Sequence, residues 1–200
     1  MNAPERKNRL PGLILIFKHN PNDTMKADHR ELRADYTKTI NAADEDSMTR
    51  HGNKFTWDLA RYTVAEELVV YPAIESHMDH GSVIINRDRA ESQRIKQLLA
   101  AFQPLSASDA QFRPTLDELM NKMNMHIEEE EDEYLPSLEA VLDPGESEQL
   151  AQTFERTKVL MPTRSHPDAA VEQPMFETAV ALVQAPIDRV ADLIRRFPEE

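Results

Sequence analysis

Four segments of this chain repeat apolar residues at the three- and four-residue spacing of an amphipathic α-helix. Prolines and polar clusters separate the segments, and the 200 residues include only four glycines, which favours helices over β-strands. The predicted helices cover residues 25–40, 54–71, 83–102 and 114–135. The second is expected to end before Pro72 and the fourth before Pro136, because a proline disrupts a helix interior. The spacing therefore predicts an all-α protein.

Each predicted helix carries at least one polar or ionisable residue on its apolar face. These residues are His29 in the first helix, Glu66 in the second, Asp88 and Glu91 with Ser92 at the edge in the third, and Glu130 with His126 at the edge in the fourth. A buried carboxylate without a partner is costly, so it has to be protonated, paired or bound to a cation. One such residue is common in a core, whereas four on four helices predict a shared interior site.

The acidic run Met125–Pro136, "MHIEEEEDEYLP", is mostly a solvated helix face. At about 100° per residue, only Glu130 falls in the middle of the apolar stripe, and Glu131 lies beside it. The other acids of the run flank the stripe or point to water: Glu128, Glu129, Asp132 and Glu133. In the second helix Glu66 falls in the stripe and Glu67 outside it. The expected interior carboxylates are therefore Glu66 and Glu130.

The two halves of the predicted bundle repeat each other. In each half a glutamate, Glu66 or Glu130, lies six residues before a proline. The residue four positions before that glutamate is Tyr62 in the first half and His126 in the second. We interpret the repeat as two helical hairpins related by a pseudo-twofold axis and packed as an up-down four-helix bundle, with additional C-terminal helices.

The second half keeps a histidine and a glutamate on one helical face. His126 and Glu130, four residues apart, offer an imidazole and a carboxylate to a divalent metal such as iron, manganese or zinc. The repeat aligns Tyr62 with His126 and Ser92 with His29. Two positions where the symmetry favours histidine therefore lack it.

Composition and charge exclude several classes of partner. A net charge of −13 disfavours nucleic acid and anionic membranes, because both select a basic face. The chain has no cysteine, which excludes disulfides and thiolate metal sites and is typical of an intracellular, cytoplasmic protein. The apolar run Leu10–Lys18 is too short to span a bilayer and no small-residue cleavage site follows it. We expect this run to pack on the body of the protein.

The length of the chain predicts one domain. Its expected parts are an N-terminal segment (1–24), the four-helix bundle (25–140) and a helical extension (141–200). Within the extension, helices are predicted near residues 147–159 and 176–197.

Four motifs resemble the haemerythrin-like, His-His-Glu cation-binding family, particularly its fungal members. They are "KADHRELR", "FTWDLARYTVAEELVVYPAIE", "RDRAESQRIKQLL" and "HIEEEEDEYLPSLE", and "FERTKVLMPTRSHP" with "APIDRV" extends the likeness over nearly the whole chain. The resemblance implies a four-helix bundle that holds a non-haem di-iron centre through histidines and bridging carboxylates. It also implies oxygen binding or sensing, iron handling, or nitric-oxide or peroxide chemistry.

The family's metal ligands carry over onto this sequence only in part. The matching positions are His29, Glu66, His126 and Glu130. The family pattern would read "ARHS" and "AEHQ" where this chain has Tyr62 and Ser92. Asp88, one turn before Ser92, is a candidate substitute oxygen ligand. The loss of two imidazoles favours a reduced, mononuclear centre over a di-iron centre.

The residues leave several functions open. The first is a degenerate haemerythrin-like protein that binds a metal ion, with iron as the implied metal. The second is a metal-independent enzyme without a cofactor, in which the vacated interior isomerises, dehydrates or cyclises a small apolar metabolite by acid–base chemistry. Its expected catalytic residues are Tyr62, Glu66, His126 and His29. The others are an intact di-iron oxygen-binding or sensing protein, and an inert core whose polar groups satisfy each other. The expected partner is thus a metal ion or a small molecule.

Overall fold

The computed structural model describes residues 20–161, 163–165, 188, 192 and 195–198. These residues form helices and connecting loops without a β-strand, so the all-α prediction is confirmed. The α-helices are α1 (Pro21–Ile40), α2 (Glu45–Ala65), α3 (Tyr71–His77), α4 (Gly81–Phe102), α5 (Phe112–Glu129), α6 (Leu135–Val141) and α7 (Pro144–Leu160). Two π-helical turns, π1 (Glu66–Val70) and π2 (Glu130–Tyr134), join α2 to α3 and α5 to α6.

The four long helical rods form the expected bundle of two hairpins. The first hairpin consists of α1 and the α2–π1–α3 rod, and the second of α4 and the α5–π2–α6 rod. α1 packs on α2 and α5, and α4 packs on the same two helices, which closes the bundle. The apolar stripes meet in one core, whose fully buried members include Leu59, Ile95, Leu116, Met123 and Ile127. α7 packs outside the bundle against α1, α2 and π1.

The expectation that Pro72 and Pro136 end their helices is wrong. The rods continue to His77 and Val141 because a π turn precedes each proline. In each π turn the N–H of the residue before the proline donates to the carbonyl five positions back, on Glu66 or Glu130. The wider turn accommodates the missing proline N–H and the bulk of the ring, which an α-helix would not.

The observed helix starts differ from the predicted ones where a capping residue precedes the apolar stripe. α2 begins at Glu45 rather than near residue 54, because the Asp44 carboxylate accepts a hydrogen bond from the Ser47 N–H at 2.7 Å. α1 begins at Pro21 rather than near residue 25, with Asn20 as its N-cap. Residues 45–53, which lie before the predicted start of the second helix, are therefore helical.

Two predicted segments lie outside the described residues. They are the apolar run Leu10–Lys18 and most of the predicted final helix, 176–197. Among the described helices, none is both long enough and apolar enough to cross a membrane.

Candidate metal centre in the bundle interior

Three buried side chains from the two π-containing rods converge between the hairpins. Ligand atoms of Glu66, His126 and Glu130 all lie within 4.8 Å of one another. The Nε2 atom of His126 is 3.4 Å from each carboxylate oxygen of Glu66 and 3.5 Å from Oε2 of Glu130. All three residues are at most 2% exposed. The burial predicted for both glutamates is thus confirmed, and the structure brings them together with His126.

The two π turns fix the position of the glutamates. Glu66 is the first residue of π1 and Glu130 is the first residue of π2, at equivalent points of the two hairpins. π turns are rare and often occur at functional sites, because the inserted residue re-aims the side chains around it. The sequence signal for this geometry is a glutamate six residues before a proline. This spacing is part of the predicted internal repeat, but the π turn that accompanies it was not predicted.

His29 and Tyr62 fill the adjacent part of the interior. The Nε2 atom of His29 lies 2.6 Å from the Tyr62 hydroxyl, which donates to Oε2 of Glu130 at 3.0 Å. His29 Nε2 is also 3.2 Å from that oxygen, and its Nδ1 is 2.8 Å from Oε1 of Glu131. Both ring nitrogens of His29 thus have partners. His29 stands beside the three-residue set, with the tyrosine hydroxyl against its Nε2 atom.

Asp88 is a buried carboxylate without a hydrogen-bond donor. It is 1% exposed, and neither of its oxygens has a partner among the described residues. Burial raises its pKa to about 7, although the neighbouring His126 acts in the opposite direction. The Nδ1 atom of His126 and the hydroxyl of Tyr71 are also buried and unpartnered. Buried polar atoms usually have partners, so this side of the site has unused ligand capacity.

The ionisable groups of the site shift one another's pKa in opposite directions. Burial raises the pKa of Glu66 well above its usual range, and the charge of Glu130 adds to this effect. Burial also acts to raise the pKa of Glu130, but His126 and His29 outweigh it and lower that pKa to about 2. Burial would lower the pKa of His126, yet the two glutamates raise it to about 10. Without a metal, the protonated His126 ring therefore supplies the positive charge beside Glu130.

A second buried group lies next to the site and was missed in the sequence. Glu67, predicted to lie outside the stripe, is 5% exposed, accepts from the Ser92 hydroxyl at 2.9 Å and pairs with Lys96 at 2.5 Å. Ser92 is therefore engaged with Glu67 in place of a metal. The sequence signal for the burial of Glu67 is Lys96, which lies four residues after Ser92 on the buried face of α4. Glu91, predicted to face the core, instead lies 3.8 Å from Lys122 near the surface.

The donor spacing tests whether a metal ion fits. Zinc- or iron-like ions form bonds of about 2.1 Å to imidazole nitrogen and carboxylate oxygen, which places tetrahedral donors about 3.4 Å apart. The distances from His126 Nε2 to Glu66 and Glu130 are 3.4 and 3.5 Å. One imidazole and two carboxylates also suit iron, manganese or zinc. The residues present therefore fit one divalent ion.

Comparison with known proteins agrees with the geometry. The sequence profile described as Hemerythrin HHE cation binding domain matches residues 20–138. An uncharacterized hemerythrin-like protein of Schizosaccharomyces pombe is 42% identical over 193 residues, which cover 96% of this chain and 95% of that protein. The chain belongs to the hemerythrin HHE cation-binding family. The resemblance to fungal members of the family is thereby confirmed, and α7 lies beyond the profile match of this hemerythrin-like chain.

A more distant relative shares part of this hemerythrin-like sequence. A DNA nickase of Nostoc sp. is 24% identical over 139 residues, which cover 70% of this chain and 39% of that protein. No solved structure matches the chain.

Proposed function

We propose that this hemerythrin-like protein binds one non-haem metal ion, with iron as the first candidate, through Glu66, His126 and Glu130. The observation that carries the proposal is the convergence of these three buried donors at the spacing of ligands to a single ion. Two buried carboxylates this close together are costly without a cation. A bound iron would supply a Lewis acid and a one-electron redox centre.

Asp88 is the candidate for a fourth ligand in this proposal, although it lies outside the set of donors that are within 4.8 Å of one another. It is buried, neither of its oxygens accepts a hydrogen bond from a described residue, and it belongs to α4, which contributes no member to the set. A buried carboxylate without a hydrogen-bond donor is costly, and a bound cation would compensate its charge. Asp88 thus takes the role of the imidazole missing at Ser92.

In this proposal, Tyr62 limits the site to a single ion. Its hydroxyl lies at hydrogen-bond distance from both His29 and Glu130, in the half of the site that would hold a second metal. In this proposal His29 and Tyr62 hold Oε2 of Glu130, the oxygen that faces His126, in place. The intact di-iron centre, and reversible oxygen binding with it, is therefore not the proposed function.

The acid–base enzyme remains a second candidate on one observation. Tyr62 also lines a solvent-reached cavity between α1, α2 and α7, so a small molecule could approach a residue of the interior network. In that case Tyr62, His29, His126 and a glutamate would move protons in the absence of a metal.

The deciding experiment is the metal content of the full-length protein after anaerobic loading with ferrous iron and desalting. Elemental mass spectrometry is expected to find about one iron per chain. Replacing one ligand, as in His126→Ala or the near-isosteric Glu66→Gln, is expected to lower bound iron at least about tenfold. Even the loss of a residue that only hydrogen-bonds to a metal ligand typically lowers metal affinity by about that factor. His77→Ala, on the half-exposed end of α3, is the matched control and is expected to retain the metal.

Each other result contradicts the proposal in a distinct way. Two irons per chain would restore the di-iron function. No retained iron, manganese or zinc in a folded protein would exclude a metal-binding function and favour the acid–base enzyme. Equal loss in the His126 and His77 variants would show that the metal binds elsewhere.

A further inference from the structure

A cavity of about 350 Å³ opens between α1, α2 and α7, on the outer side of Tyr62. Its volume is within the range of about 300–1,000 Å³ that is typical of small-molecule sites. One wall comes from α7, through Glu155 and Lys158, and α7 lies beyond the part of the chain that matches the family profile. One wall of the cavity is therefore supplied by a helix outside the region that matches the family profile.

The ammonium groups at the cavity have little donor capacity left. Lys54 Nζ donates to three carboxylates, at 3.0 Å to Glu31, 2.9 Å to Asp35 and 2.7 Å to Asp58. An ammonium has three hydrogens, so Lys54 is saturated. These three acids are spaced like metal ligands, but Lys54 already occupies the space between them.

Lys158 is similarly engaged at the α7 wall. It donates to Asp28 at 2.5 Å and to Glu155 at 3.0 Å. The third cation, Arg61, donates to the main-chain oxygen of Lys158 and stacks over the Trp57 ring at 3.7 Å. An anionic ligand would have to displace these interactions.

Acceptor capacity at the cavity is in surplus. Four carboxylates line it against three cations, and among the described residues the hydrogen bonds of Asp28, Glu31 and Glu155 each use only one of the two carboxylate oxygens. Behind Lys54, Oδ1 of the buried Asp35 has no hydrogen-bond donor among the described residues, and Lys38 lies 3.9 Å from it. The surplus therefore extends into the wall.

The pKa of one lining acid agrees with this surplus. Burial raises the pKa of Asp58 to about 6 in spite of Lys54. Incomplete compensation of buried carboxylates leaves a site that favours additional positive charge.

We propose that this cavity binds a small organic ammonium compound, such as an aliphatic amine or diamine. The ammonium would donate to the spare oxygens of Asp28, Glu31 and Glu155. The hydrocarbon part would lie against the apolar lining, which consists of Leu32 and the rings of Trp57 and Tyr62. Since Tyr62 also contacts Glu130, the ligand would lie one residue away from the interior site.

Trp57 is the only tryptophan of the chain and lines the cavity, so its fluorescence reports directly on occupancy. The full-length protein is titrated at low ionic strength with 1,4-diaminobutane, and with glutarate as an anion of similar length. The diamine is expected to change Trp57 fluorescence saturably, with heat in calorimetry, and the affinity falls with salt because the attraction is screened. Glutarate is expected to have no effect.

Variants locate the binding. The side chains of Glu155 and Glu31 are 51% and 56% exposed, so Glu155→Gln and Glu31→Gln should not unfold the protein. Each substitution removes one spare acceptor oxygen and is expected to weaken binding of the diamine at least about fivefold. Glu118→Gln, an equally exposed acid on α5 that pairs with Arg94, is the matched control. Absence of binding at millimolar diamine, tighter binding of glutarate, or equal weakening in the Glu118 variant would overturn the proposal.

Discussion

Tyr62 is the residue that most changes what the interior of this bundle does. It is 1% exposed, and its hydroxyl contacts His29 at 2.6 Å and Glu130 at 3.0 Å. Burial and the charges of Glu130 and Glu66 raise its pKa, so the phenol keeps its proton as a hydrogen-bond donor. A neutral phenol is a poor metal ligand, so Tyr62 acts here as a hydrogen-bond donor to Glu130.

The substitution Tyr62→Phe tests this role. It leaves the buried Glu130 and His29 without their shared partner, which is expected to lower the free energy of unfolding by about 1–3 kcal/mol. Tyr36→Phe is the control, since the Tyr36 hydroxyl donates to Asp117 at a half-exposed position and its loss should cost less than about 1 kcal/mol. Urea denaturation of both variants checks the difference. Equal costs would show that the Tyr62 hydroxyl has no special role in the core.

At the scale of single elements, the π turns connect sequence to site geometry. Each π turn begins with a glutamate of the site and ends two residues before a proline. The turn contains one residue more than an α-helix would need, so it both tolerates the proline and orients the glutamate. The same device in both hairpins explains why two carboxylates meet at one point.

Deleting a residue tests this account of the π turn. In a Pro136→Ala background, deletion of the exposed Asp132 is expected to convert π2 into plain α-helix and to keep α6 in phase with α5. Cooperative unfolding should remain, while iron binding is lost because Glu130 is re-aimed. Deletion of the exposed Asn121, within regular α-helix, rotates everything after it by about 100° and should destabilise the protein severely. Circular dichroism, urea denaturation and metal content distinguish the two deletions. Similar stability for both would contradict the account.

At the scale of the whole molecule, α7 is attached to the bundle by polar as well as apolar contacts. Lys158 Nζ pairs with Asp28 of α1, and Arg61 of α2 donates to the Lys158 main-chain oxygen at 2.8 Å. Phe154 of α7 meets the Tyr62 ring edge-on, with centroids 5.9 Å apart. The helix thus covers the side of the bundle on which Tyr62 lies.

The attachment of α7 depends on the Lys158–Asp28 pair. Lys158→Met leaves a mostly buried aspartate unpaired, and we expect a loss of about 2–4 kcal/mol in the free energy of unfolding. Lys122→Met, which removes a looser pair with Glu91 at 3.8 Å, is expected to cost less than about 1 kcal/mol. Chemical denaturation followed by Trp57 fluorescence gives both values. If the two lysine variants lose the same stability, the pair does not hold α7.

The local pattern of the sequence was sufficient for the fold and for part of the site. Helical periodicity predicted the bundle and the burial of Glu66 and Glu130, because a carboxylate in an apolar stripe must follow that stripe into the core. The internal repeat predicted that the two hairpins are equivalent, and the motifs indicated the family. Periodicity alone misplaced Glu67, since the π turn that begins at Glu66 changes the angle between successive residues.

The tertiary structure decided what the interior residues contact. His29 contacts Tyr62 and Glu131, and Ser92 donates to Glu67, so these contacts join residues distant in sequence. The packing also leaves the carboxylate of Asp88 without a donor among the described residues. Such distances depend on how helices pack, which side-chain periodicity does not specify. The sequence by itself therefore determined a hemerythrin-like bundle with acids inside it. Only the packed structure decided that Glu66, His126 and Glu130 converge and that a tyrosine hydroxyl contacts Glu130 beside them, because such contacts depend on how the helices pack.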